Sequence, residues 1–414
     1  MRPTHLLRQL WRHTPPRRTI TTTPGTFANL RYELLARPPK CYYDYLTPTN
    51  SHLLSVALAD QLPAPQDDSV PGGGGRPYPP PSSSDLDHWT LPKVHRGGGA
   101  LPARPLPQGH HLVYFPPTHP SSALLADGTD TDHWPGPPFS RRLWAGGSVS
   151  FADGWEADLL LDKRRAACVE RVEDVRLAWA GAGAGAGAGV AQVDGDGTHA
   201  VGDKIFVDVV RRYGAVGGDE DAVDGAEVVR RVEGSPAIVE RRTLVFLTGR
   251  AEEGGSRGRP RSTRPKREFL SVPGVSSFFM NELTVRTTEK VYQDPEHVTP
   301  FTATPAVLFR FSALSFNAHA IHLDPAHCRA AEGYERPLVH GPLLLVLMLS
   351  ALRTAALAEG KLPPAARGLD YMNLQPVFVG ERMRMCVRPT GTKWHVWVEG
   401  EDGRLCVKGS AKMA

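Results

Sequence analysis

The sequence predicts an α+β protein in which antiparallel sheet wraps one long buried helix. Three observations carry this. The run Leu343–Leu349 is apolar at every position and follows Gly341 and Pro342, which suits the start of a helix enclosed on all sides. Segments rich in β-branched residues surround it: DKIFVDVVRRYGAV and AIVERRTLVFLTG upstream, MNLQPVFVGERMRMCVRP, KWHVWVEG and RLCVKGSAKM downstream. The last two are joined by GEDG, a turn signal between alternating segments, so this end is an antiparallel meander.

A chain of 414 residues has room for two or three domains of ordinary size. Its 38 prolines and 41 glycines fall largely in a few runs, which points to a globular protein interrupted by inserts. The net charge of +4 gives no global reason to expect nucleic acid or an anionic membrane as partner. Five cysteines (Cys41, Cys168, Cys328, Cys386, Cys406) are scattered without a CxxC, which indicates a reducing compartment. The apolar run, closely followed by Arg353, falls short of the roughly 20 residues a membrane span needs, so it is a core helix and no transmembrane segment is expected.

Residues 1–30 carry Arg2, Arg8, Arg12, Arg17 and Arg18, and no acidic residue precedes Glu33. That is the composition of a mitochondrial transit peptide, with cleavage between Ile20 and Ala28 and delivery to the matrix. Within 41–62, Thr47 or Thr49 caps a short amphipathic helix expected to pack on the first domain. Residues 63–107 hold too few apolar side chains to offset chain entropy and form a disordered insert. The first domain, 108–250, starts with a short strand over Leu112–Phe115 and has loop expansions at GAGAGAGAG and GGDEDAVDGAE. A basic linker follows at 251–275; its Arg/Lys cluster at 257–267 lacks the interleaved aromatics that stack on RNA bases. The second domain, 276–414, opens with a strand around Val307–Phe311, then a histidine-rich segment and the helix beginning near His340.

The motifs LSFNAHAIHLD (314–324) and LVHGPL (338–343) resemble the hydratase motif of MaoC-like hotdog enzymes, whose pattern is SGDxNPxHxD followed by VHG at the central helix. HHLVYFPP, ADGTD and PGPPFSRRLWAGG resemble the N-terminal half of the double-hotdog branch. That branch includes fungal mitochondrial type 2 hydroxyacyl-thioester dehydratases and mesaconyl-C4-CoA hydratases. The likeness covers residues 110–250 and 276–412. It implies a double hotdog: two hotdog domains, each a sheet around a central helix, the first non-catalytic and completing the sheet and acyl tunnel. It also implies a (3R)-hydroxyacyl-thioester dehydratase, or trans-2-enoyl-thioester hydratase, of mitochondrial type II fatty-acid synthesis. The substrate would be an acyl-CoA or acyl carrier protein thioester, with no cofactor and no metal, on a monomeric pseudo-dimer or a homodimer. Two alternatives stand beside it: a mesaconyl-C4-CoA-type hydratase of short branched acyl-CoA, and a non-enzymatic hotdog that binds RNA or a mitochondrial partner through the basic linker.

The family places an Asp and a His five residues apart. Here those positions are Asn317 and His322, and His319 stands where the motif has Asn. An amide cannot serve as a general base, so the resemblance implies a variant site. Hydration of an enoyl thioester needs a group that exchanges protons near neutrality, a group that holds the water, and an N–H facing the forming enolate oxygen. His322 is assigned acid/base work and Asn317 the water, while His319 either shares the base role or orients His322. The Gly341 N–H at the helix start is assigned the oxyanion, the glycine allowing close approach of the thioester. His340 either hydrogen-bonds beside the acyl carbonyl or is structural. A metal at His319, His322, His327 and Cys328 is disfavoured, because HxxH followed by HC is no established ligand spacing.

Overall fold

The computed structural model describes residues 24–60, 62, 103–179, 202–217, 224–248, 290–361 and 365–414. Most of the expected targeting segment, most of the 63–107 insert, the Gly-Ala run and the basic linker lie outside the described residues. Among the described residues ten strands form one antiparallel sheet in the order β1-β3-β4-β5-β2-β7-β10-β9-β8-β6. The strands are β1 (Lys40–Tyr45), β2 (Phe139–Phe151), β3 (Arg165–Trp179), β4 (Gly202–Ala215), β5 (Ile238–Thr248), β6 (His297–Thr302), β7 (Ala366–Asn373), β8 (Arg382–Arg388), β9 (Lys393–Glu399) and β10 (Leu405–Met413). The order is a palindrome if β1 to β5 correspond in sequence to β6 to β10, so two five-stranded halves meet through β2 and β7 as in a double hotdog. Ser148 lies opposite Asp370 at the centre of that junction.

The junction explains the AGG of the first half. A Cβ on Gly147 would lie 2.0 Å from the Arg241 carbonyl on β5, and one on Gly146 would lie 2.5 Å from the Tyr371 carbonyl on β7. β2 is squeezed between both neighbours, and the ladder shifts register between Trp144 and Gly146. Glycine and paired arginines had masked this 13-residue strand in the sequence.

Among the described residues the helices of ten residues or more are α1 (Pro24–Leu35), α2 (Pro48–Leu58), α3 (Gly225–Gly234), α4 (Pro305–Leu314) and α5 (Gly341–Ala358). α5 is the predicted core helix, begins after His340, and is buried continuously from Leu343 to Leu349. It is long and apolar enough to cross a membrane, yet 67% of it is buried inside the protein. It packs on β6, β7, β8 and β9 of its own half and on β2 and the turn His110–Val113 of the other. The halves therefore differ: between α2 and β2 the first half offers α5, among the described residues, the 3-10 turn His110–Val113. Gly109 brings that turn close to α5, since a Cβ there would lie 3.3 Å from Val346 Cα.

Several local expectations change. Val307–Phe311 is helix, not strand: Pro305 occupies the first turn, Thr304 Oγ1 accepts the Val307 N–H at 3.2 Å, and Val307, Leu308, Phe311 and Ser312 share one buried face. The strand there is β6, just upstream. Leu112–Phe115 begins within a buried 3-10 turn instead of forming a strand, because Gly109 and Pro116 bracket it too closely for a ladder. The end of GGDEDAVDGAE enters α3, whose Val228 and Val232 bury four residues apart. α2 forms with Thr47 at its N-cap, but the threonine side chain makes no cap hydrogen bond, and the helix packs across onto α4 of the second half. α1 docks on β3 through Arg31, whose Nε donates to the Val175 carbonyl at 3.1 Å. Cleavage late in the Ile20–Ala28 window would cut into this helix.

Candidate active site

The histidine segment leaves α4 through a turn in which Phe316 holds φ +53°. Positive φ is strained for an aromatic residue, and strain of this kind concentrates at sites that need a fixed geometry. The Asn317 N–H donates to the Ser312 carbonyl at 2.8 Å, and the Asn317 side-chain oxygen accepts the His319 N–H at 3.0 Å. Asn317 thus spends its oxygen on the backbone and keeps its NH₂ as a donor.

His322 Nδ1 lies 2.8 Å from the Leu338 carbonyl. A carbonyl only accepts, so Nδ1 carries the proton and Nε2 is left as the lone pair of a neutral ring. Behind it the His340 ring stacks at 3.7 Å and 22°, and His340 Nε2 meets Ser312 Oγ at 2.8 Å beneath Phe311. His340 is fully buried and supports His322 from behind, away from the cavity wall. His319 stands edge-on to His322 at 5.5 Å. Burial pushes His322 down to about 4, with Arg142 adding to the effect and the Leu338 carbonyl opposing it. Burial also holds His319 and His340 well below the ordinary histidine range.

A cavity of about 520 Å³ joins these groups to the first half. Asn317, His319, His322 and Gly341 line its second-half end. Phe309, Phe316 and Leu323 also line it, and all three are exposed. The opposite wall holds Tyr42, Glu170, Arg211 and Arg242 from β1, β3, β4 and β5. These charges pair among themselves: Glu170 lies 3.2 Å from Arg211 Nε, and Arg242 grips Glu240 with two bonds of 2.8 Å.

The structure brings His322, His319, Asn317 and Gly341 to one cavity. It gives Gly341 a different reason to be glycine: a Cβ there would lie 2.8 Å from Trp144 Cγ on β2. The missing side chain makes room for the first half, not for the thioester. Gly341→Ala is expected to cost about 1–3 kcal/mol of stability through overpacking, measured as a shift of the urea midpoint. Cys328 faces elsewhere, its thiol bonded to the Ile321 carbonyl at 3.2 Å.

The first half was expected to complete the sheet and the acyl tunnel and was assigned no site residue, yet its ADGTD turn packs directly on the histidine loop. A Cβ on Gly128 would fall 2.1 Å from the Ala318 carbonyl, the Asp127 carbonyl accepts the Ala320 N–H at 2.7 Å, and Asp127 Oδ2 lies 3.6 Å from His319 Nε2. Gly128, at φ +81°, permits this contact. The available signal was the Asp-Gly pair itself, quoted as part of the resemblance and given no chemistry.

The family model described as hydroxyacyl-thioester dehydratase type 2 matches residues 109–194 and 204–379, more than half of the chain and part of each half of the sheet. The chain belongs to this family. Within it, a 113-residue stretch is 34% identical to the mitochondrial hydroxyacyl-thioester dehydratase type 2 of Schizosaccharomyces pombe, covering 27% of this chain and 37% of that protein. A 109-residue stretch is 34% identical to the mesaconyl-C(4)-CoA hydratase of Chloroflexus aurantiacus, covering 26% and 37%. The aligned stretches therefore span little more than a third of either relative. Among solved structures, a MaoC-like dehydratase from Phytophthora capsici superposes over 92% of this chain and 97% of its own at 13% identity, with a TM-score of 0.45.

Proposed function

We propose that this family member hydrates trans-2-enoyl thioesters and dehydrates (3R)-hydroxyacyl thioesters, in a mitochondrial type II fatty-acid synthesis pathway within the matrix. The observation that supports it most directly is the His322 tautomer: Nδ1 is held by Leu338, leaving a neutral ring with its lone pair on Nε2, in a cavity shared with Asn317. In this reading the Asn317 NH₂ donates to the water oxygen, His322 takes the proton, and oxygen adds to C3. The N-terminal turn of α5 at Gly341 offers unpaired N–H groups and a favourable dipole to the thioester oxygen as it becomes an enolate. The Arg-rich, acid-free residues before Glu33 and the mitochondrial relative support the location. Acyl carrier protein and coenzyme A both remain carriers for the proposed substrate.

A second reading is favoured by the far wall of the cavity. Glu170, Arg211 and Arg242 are poor company for a long alkyl chain, so a short acyl group with a polar end, as in a mesaconyl-type substrate, fits that wall better. A panel of enoyl thioesters on CoA and on acyl carrier protein, followed by loss of enoyl absorbance, tests both. Turnover rising with chain length supports fatty-acid synthesis, a preference for short carboxylated acyl groups supports the second reading, and no turnover on any of them removes the enzyme reading. The RNA alternative depends on residues 257–267, which lie outside the described residues.

A further inference from the structure

Where the SGDxNPxHxD pattern has its Asp this chain has Asn317, and the structure holds another carboxylate against the same histidines. We propose that Asp127, on the first-half turn, is the positioning carboxylate of this site and acts through His319. The inference rests on the acid/base reading of the His319–His322 pair given above.

Four observations place it there. His319 is buried and its Nε2 has no hydrogen-bond partner, while Asp127 Oδ2 stands 3.6 Å away. A closure of well under 1 Å makes that contact a hydrogen bond. The other carboxylate oxygen is anchored, accepting the Thr129 N–H at 2.9 Å and the Thr129 hydroxyl at 2.7 Å, which aims Oδ2 at the ring. The turn itself is clamped onto the site by the Ala320 N–H and by Gly128 against the Ala318 carbonyl. Among the described residues, Asp127 forms its ion pair with His319 and with no lysine or arginine.

The surroundings of His319 otherwise disfavour a positive charge. His322 and His340 flank it, with His327 on the following turn and Arg142 on β2. Asp130 neutralises Arg142 at 3.0 Å, and Glu332 pairs with Arg141 at 2.6 Å while lying 4.0 Å from His327. Asp127 is thus left to stabilise the imidazolium that forms when water gives up its proton. The water O–H bond breaks as the C3–O bond forms, and the proton held by the histidine pair is then passed to C2 as the enolate collapses, which returns the histidines to neutrality, so no further reactant is needed. A carboxylate at this place also fixes Nε2 of His319 as the protonated nitrogen and leaves Nδ1 as the acceptor.

The test uses the full-length enzyme and crotonyl-CoA. Asp127→Asn keeps the bonds to Thr129 and is expected to lower kcat by about 10²-fold with little change in KM. It should also move the acid limb of the kcat profile to lower pH, since a carboxylate beside an imidazolium raises its pKa. On a His319→Ala background the same substitution should cost nothing more, because the partner it acts through is gone. Unchanged kcat, an unmoved acid limb, or costs that add across the two substitutions would each overturn the inference and reduce Asp127 to loop packing. A wild-type enzyme inactive on every enoyl thioester would instead overturn the proposed function, so the two failures are distinct.

Discussion

Hydration of crotonyl-CoA by the His322→Ala variant is expected to run about 10²- to 10⁴-fold slower than by the wild type, with KM changed little. The ring lines the cavity with its Nδ1 proton held by the Leu338 carbonyl, so the Nε2 lone pair is lost with the ring. The sign of the pH dependence follows from the same environment. The neutral ring is the base, and burial lowers its pKa to about 4. Lowering the pKa preserves the neutral form on the acid side, so the acid limb of kcat/KM should lie well below the ordinary histidine value of about 6.5. Wild-type turnover in the variant, or an acid limb at the ordinary value in the wild type, would take His322 out of this role.

Glu240→Ala is expected to destabilise the protein by about 3–5 kcal/mol, the cost of leaving a partly buried guanidinium without its carboxylate. Glu240 is wholly buried, receives two bonds from Arg242 and one from the Tyr213 hydroxyl, and lies 3.8 Å from His111. Burial by itself would raise its pKa, but Arg242, His111 and Arg211 prevail and hold it at about 2. A depressed folded-state pKa means the stabilisation is present above the unfolded value near 4.5 and is lost as pH falls from there toward about 2. Arg242 in turn lies 5.2 Å from the Trp144 ring, which packs on Gly341, so the damage should reach the start of α5. Urea unfolding of Glu240→Ala beside a Glu240→Leu/Arg242→Met double variant checks the mechanism. The double variant should recover most of the loss, and a single-variant cost under about 1 kcal/mol would show the pair to be effectively solvated.

Much of the fold was legible because it depends on local pattern. The unbroken run Leu343–Leu349 could be satisfied only by enclosure, and β4, β5, β8, β9 and β10 announce themselves through β-branched segments. The errors came where a local pattern served a distant contact. Val307–Phe311 looked like strand, but Thr304 and Pro305 begin a helix there whose buried face meets α2, and β2 was hidden because Gly146 and Gly147 answer to carbonyls on two neighbouring strands. α3 was missed because its two buried valines were set in a charged, loop-like context.

The site divides in the same way. His322, His319 and Asn317 share one loop with fixed spacing, so the sequence alone could group them, and it placed Gly341 and His340 at the start of the helix that follows. It could not say that His340 stacks behind His322, that Gly341 is glycine for Trp144, or that Asp127, 192 residues before His319, stands 3.6 Å from it. The first depends on how the loop folds back onto the start of α5, and the other two exist only because β2 pairs with β7 and brings the first half against the second. Chain order determined the helix, the strands and the histidine loop. The orientation of the reacting groups, and the carboxylate facing them, was decided by the tertiary structure, because side-chain direction and charge proximity depend on which surfaces pack together.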